Sequence, residues 1–194
     1  PRSTLFPYTT LFRSEIMKEF LRRNKYAALF SYFIIYLIWF GLLEVHADPV
    51  FYTHCRLDDL IPFCSWFLIP YLIWFPYVGI TMGATYIKSK PEFCRLCIRL
   101  FSGMTVCLII YTLFPSGQLL RPDLSGDSSL LSSLVKQLYF VDSCTNVCPS
   151  IHVYNSLCVH HTLCSWEQTK GKKWLKWASF LVMLFIIADR KSVV

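Results

Sequence analysis

Lys18 to Leu43 reads KEFLRRNKYAALFSYFIIYLIWFGLL. Lys18, Arg22, Arg23 and Lys25 lead into an apolar run, Tyr26 to Leu43, whose length of about 18 residues suffices to cross a bilayer as a helix. Basic residues collect on the cytoplasmic side of a span, so this order predicts a cytoplasmic amino end. Glu44, Val45 and His46 follow the run where a signal peptide would carry small residues for cleavage, so no cleavable signal is expected.

The alternation continues along the chain. His46, Asp48, His54, Arg56, Asp58 and Asp59 make a mixed, rather acidic loop that suits the outer side. Leu60 to Tyr86 is a second span containing Pro62, Pro70 and Pro76, which predicts a kinked helix packed against neighbours, with Asp58 and Asp59 capping it. Lys88, Lys90, Arg95 and Arg99 return the chain inward, and a third span runs from about Leu96 to Phe114. Pro115 to Cys148 is the longest polar connection, and within it LLSSLVKQLYF has the pattern of a short interfacial helix. A fourth span from Pro149 to Trp166, a basic turn from Glu167 to Lys176 and a fifth span from Trp174 to Ala188 complete the order. The expected fold is all-α: a multi-pass transmembrane helical bundle. A composition 55% hydrophobic and 17% aromatic points the same way.

The two ends read differently. Tyr8 to Ser14 back-translates to an oligonucleotide whose complementary strand, shifted by one base, encodes Asp189 to Val194. Residues 1–14 and 189–194 are therefore expected to be translations of one sequencing adaptor, leaving 15–188 as a single membrane-embedded domain. The net charge of +7 includes Arg2 and Arg13 and a net one from Asp189, Arg190 and Lys191, which leaves +4 for the domain. Its basic residues sit in short clusters between apolar runs, with no basic stripe interleaved with aromatics, so nucleic acid is not an expected partner. The nine cysteines are scattered, several inside apolar runs, unlike a secreted disulfide framework. Cys94 and Cys97 have zinc-like spacing but no second pair nearby, and no metal is expected. For Cys144 and Cys148 on the outer side, a bridge and free thiols both stay open.

Chemistry concentrates in Thr145 to Ser156, TNVCPSIHVYNS. Pro149 suits the first turn of a helix, where a missing N–H costs nothing. His152, Asn155, Ser156 and His160 then follow at spacings of three and four, a polar stripe on one face that wants a bundle interior. The helix start offers unpaired N–H groups and a positive dipole end to an anion, with Ser150 and His152 beside it. By the same topology Arg121 and Pro122 lie on the outer side, and a guanidinium grips phosphate through two N–H bonds. Ser150 as a simple helix cap, Arg121 as an interfacial residue and His152 as a buried polar residue are the structural alternatives.

Taken together and in this order, RPDL at Arg121 to Leu124 and NVCPSIHV at Asn146 to Val153 resemble motifs of the type 2 phosphatidic acid phosphatase superfamily. The closer likeness is to its branch of inositol phosphorylceramide synthases (inositolphosphotransferases) and bacterial membrane proteins. Asp58 to Phe75, DDLIPFCSWFLIPYLIWF, is similar to that branch's second helix. The resemblance implies six helices, of which five are present, and transfer of a phosphoryl or phosphodiester group from a phospholipid or lipid phosphate, with no cofactor or metal. It implies that Arg121 and Ser150 bind the phosphate and that His152 protonates the departing alcohol, roles that suit the charge built up in phosphoryl transfer. The site is expected to face the extracytoplasmic side of the cell membrane.

The resemblance also implies a second histidine as nucleophile, oriented by an Asp, at the outer end of the fifth helix. That motif is missing here, and His160 and His161 lie too far along the fourth helix to replace it, so this chain is expected to be inactive. Phe114 stands where the first motif often has a Lys, and Ile151 where the commoner form has Gly. Either Lys136 or a group elsewhere compensates for the absent Lys, or the site prefers a less charged diester. Hydrolase and transferase remain alternatives, and beside both stands a non-catalytic anion-binding membrane protein such as a transporter or sensor fragment.

Overall fold

Six α-helices account for most of the described residues. The computed structural model describes residues 26–46, 48–54, 63–124, 126, 129–141 and 144–188. The adaptor-like ends, and Asp58, Asp59 and Pro62, lie outside them. The chain divides into two compact units, Pro1–Ile38 and Trp39–Val194. The first holds the beginning of helix α1 (Ala27–His46), where Phe33 and Tyr36 stack with ring centroids 6.1 Å apart. The second holds the remainder of α1 and everything after it.

In that second unit α2 (Leu68–Lys88) continues from a 3-10 turn at Ser65–Phe67, and α3 (Lys90–Leu113) follows after one residue. Each expected apolar run from the second onward coincides with a helix, but the boundaries move. The cations Lys88 to Arg99, expected as a cytoplasmic connection, belong to helix ends joined at Ser89 alone. Ser89 has an extended backbone (φ −157°, ψ 93°); its N–H closes α2 on Thr85 O at 2.8 Å and its carbonyl accepts Phe93 N–H at 3.0 Å. Pro91 sits in the first turn of α3, where no N–H is required. Pro70 falls in the first turn of α2 for the same reason, whereas Pro76 is interior.

The stretches Ser65–Lys88 and Lys90–Leu113, 24 residues each, are long and apolar enough to cross a membrane. Ile80, Ile87, Ile98 and Leu113 project from them largely exposed, a surface that water would not favour. Helix α5 (Ile151–Ser165) has 15 residues and is shorter than the span expected from Pro149 to Trp166, whereas helix α6 (Lys173–Ala188), with 16 residues, matches the span expected from Trp174 to Ala188 to within one residue. Trp166, with an extended backbone (ψ 128°), stops α5, and Gly171, at φ +88°, reverses the chain into α6.

Helices α2, α3, α5 and α6 pack on one another. The crossing of α3 with α5 depends on Gly103: a Cβ there would stand 2.0 Å from the Tyr154 ring, whose hydroxyl donates to Arg99 O at 2.8 Å. A polar chain ties α2, α5 and α6 internally, from Tyr77 OH to Ser179 Oγ (2.7 Å) and on to His160 Nδ1 (2.9 Å). The stripe along α5 does face inward, with Asn155 and Ser156 fully buried.

The expected interfacial helix is α4 (Leu130–Val141). Leu131, Val135, Leu138 and Tyr139, at spacings of four, three and one, form its apolar stripe and pack with Leu68, Tyr71 and Leu124. Burying a side chain such as Val135 is worth about 1.5–3 kcal/mol, enough to hold a helix of this length that would not be stable alone. No strand was expected, yet β1 (Phe51–Tyr52) pairs in parallel with β2 (Ser116–Gly117), and Gly117 bridges Thr145 on the other side.

Candidate functional site

Helix α5 begins at Ile151, two residues after the start expected at Pro149. Ser150 is its N-cap, with its backbone extended (φ −77°, ψ 118°) and its Oγ accepting Val153 N–H at 3.4 Å. Pro149 stands before the cap, where it cannot donate and is not asked to. The first helical bond runs from Tyr154 N to Ser150 O at 3.1 Å, which leaves other N–H groups of the first turn for a ligand.

The approach to this helix is held from three sides. Tyr111, buried on α3, donates its OH to Pro149 O. Ser116 Oγ accepts Cys148 N–H at 3.2 Å and donates to Cys148 O at 3.3 Å. Asn146 N–H reaches Ser116 O at 2.6 Å, and Gln118 N–H reaches Cys144 O at 3.0 Å. Asn146 itself has φ +58°, a left-handed conformation that Asn tolerates. On the far edge Val50 N–H meets Pro115 O and Thr53 N–H meets Gly117 O, both at 2.8 Å. Gly117 is needed there, because a Cβ would lie 2.9 Å from Pro49 Cγ.

These segments close over a cavity of about 460 Å³ lined by Ser150, His152, Gln118 and Thr53 on its polar side. Leu120, Leu157 and, from the end of α6, Ile186 and Ile187 supply apolar wall. Among the described residues that line it there is no carboxylate. The His152 ring is wedged against α2, with centroids 4.3 Å from Trp74 and 5.1 Å from Tyr71. Its backbone carbonyl accepts Ser156 Oγ–H at 2.7 Å. The ring is thus positioned by packing.

No family model, curated protein or solved structure matches this chain.

Ser150 and His152 are brought together on one cavity; Arg121 is not among its lining residues. The Arg121 guanidinium lies over the Tyr139 ring of α4, 4.2 Å from its centroid, while its chain neighbour Leu120 lines the cavity. Tyr139 packs on the cluster that contains Tyr71, which in turn touches His152. Phe114 is exposed at the end of α3, and Lys136 is half-buried on α4. His160 is engaged by Ser179 and by Cys164 Sγ (3.5 Å), away from the cavity lining, and His161 is exposed. Cys144 and Cys148 are free thiols, as are Cys94 and Cys97, and no cluster of three or more metal-binding side chains occurs among the described residues.

Gln118 and Thr53 were not singled out by sequence. Gln118 is only 4% exposed, and its Nε2, like Thr53 Oγ1, is buried with no hydrogen-bond partner. Gln118 lies within PSGQLLRP three residues before Arg121, and that proximity was its one available sign.

Proposed function

We propose that this chain is an integral, multi-pass membrane protein that binds the phosphate of a phospholipid or lipid phosphate at the start of α5, in the manner of a metal-independent lipid phosphatase or phosphotransferase. The single observation that carries the proposal is the cavity in which Ser150 at a helix N-cap and His152 stand side by side, with Leu120, Leu157, Ile186 and Ile187 supplying an apolar wall. An N-terminal turn with a hydroxyl and an imidazole suits an anion, and apolar walls suit an acyl chain or glycerol backbone. With the amino end cytoplasmic, the cavity opens on the extracytoplasmic side of the cell membrane.

In this reading Ser150 donates a hydrogen bond to a phosphoryl oxygen, and His152 delivers a proton to the departing alcohol oxygen. Arg121, which stacks on Tyr139 beside the cavity, turns to meet the phosphate in a charge-assisted pair when ligand enters. The end of α6, at Ile186 and Ile187, lines the same cavity, which is where the family resemblance puts a nucleophilic histidine. Turnover is tested with the protein as its gene encodes it: His152→Ala abolishes phosphate release from a phospholipid while membrane insertion stays intact, and unchanged release overturns the assignment.

A second reading has its own support. Among the described residues lining the cavity His152 is the one histidine, which favours an anion-binding protein without turnover. Under that reading lipid phosphate binds to the wild-type protein and no phosphohistidine forms.

A further inference from the structure

A buried amide nitrogen with no acceptor is costly, and native proteins keep few of them. Gln118 Nε2 and Thr53 Oγ1 are two such atoms, on residues that line one cavity. They come from opposite sides of Gly117: Thr53 N–H is bonded to Gly117 O, and Gln118 follows in the chain. The β1 and β2 pairing therefore presents both side chains to the space in front of Ser150 and His152. Neither carries charge, and neither belongs to the first turn of α5 with its positive dipole end, so their donors suit a neutral oxygen as well as a phosphoryl one. Both are able to donate to a neutral oxygen, and Gln118 has no other described acceptor for Nε2.

We propose that Gln118 and Thr53 form a neutral-oxygen subsite beside the phosphate position, so that the preferred ligand is a phospholipid presenting an uncharged oxygen acceptor next to its phosphate. The inference rests on the reading of Ser150 and His152 as a phosphate site. The acceptor comes from one of two sources, an acyl ester carbonyl or a headgroup hydroxyl. An unsatisfied donor in the ligand-free protein becomes a satisfied one in the complex, which converts the local cost into selectivity.

Gln118→Met removes the donor at similar volume. Wild-type protein and the variant, purified in detergent, are titrated with three short-chain probes: dihexanoyl phosphatidylglycerol, its ether-linked analogue without ester carbonyls, and dihexanoyl phosphatidic acid without the glycerol headgroup. The variant binds phosphatidylglycerol about tenfold more weakly, and Thr53→Val about threefold. If the Gln118→Met loss vanishes with the ether analogue, the acceptor is the carbonyl; if it vanishes with phosphatidic acid, the acceptor is the hydroxyl. Thermal unfolding without ligand gives the second readout. Gln118→Met leaves the midpoint unchanged or raises it, since an unmet donor has been removed, whereas a fall would mark the amide as structural and overturn the subsite. Equal loss with all three probes, or no loss with any, also overturns it while leaving the phosphate reading in place. Failure of every probe to bind the wild-type protein overturns both.

Discussion

Ser116→Ala tests how the start of α5 is held. Ser116 is fully buried, and its Oγ makes both a donated and an accepted bond to the backbone of Cys148, at 3.3 and 3.2 Å. Alanine removes one oxygen and leaves an N–H and a carbonyl unmatched two residues before the cap. Each bond is near the long end of the usual range, so each contributes about 0.5–1.5 kcal/mol, and the total loss is about 2 kcal/mol. For a chain of this size a loss of that order lowers the unfolding midpoint by about 4–8 °C. Thermal unfolding in detergent, followed by intrinsic tryptophan fluorescence, measures it. The same variant binds lipid phosphate more weakly, because Cys148, Pro149 and Ser150 lose their register with the cavity. A midpoint within a degree of the wild type, with unaltered binding, would refute the view that Ser116 fixes this turn.

Other expected outcomes follow from single contacts. Gly103→Ala forces a Cβ into the Tyr154 ring, 2.0 Å away, and destabilises the α3 and α5 crossing by about 1–3 kcal/mol, read in the same unfolding assay. Ser179→Ala cuts the link from Tyr77 to His160 and costs about 1–2 kcal/mol; a neutral effect would show that the chain of hydroxyls is not needed for packing. Arg121→Ala removes the Tyr139 contact and weakens lipid-phosphate binding at least tenfold. Equal binding by the alanine variant would remove Arg121 from the site.

What was legible in the sequence was what repeats locally. Apolar runs such as Trp174 to Ala188 coincide with helices because a helix in apolar surroundings must satisfy its own backbone, and no distant partner is required to do so. The stripe of α4 was readable for the same reason. Helix ends were less so: Pro149 and Ser150 are both good starting residues, and the choice between them was decided by Ser116 and Tyr111, distant in sequence. The cations from Lys88 to Arg99 looked like a loop, since charge does not distinguish a connection from two helix ends meeting at one residue.

The β1 and β2 pairing was not legible at all. Two-residue strands carry no period, and Phe51 and Ser116 are joined only by the fold. Gln118 and Thr53 become part of the cavity through that pairing, so they could not be found before it. Ser150 and His152 were found because they share one turn of one helix, whereas the position of Arg121 over Tyr139 depends on where α4 docks.

The central claim is that an anion is held where α5 begins. Isothermal titration of dihexanoyl phosphatidic acid into the wild-type protein and into Ser150→Ala and His152→Ala measures this directly. Saturable binding by the wild type, weakened about tenfold in each variant at a temperature where each variant remains folded, is the expected result. Binding of equal strength in all three proteins would contradict it.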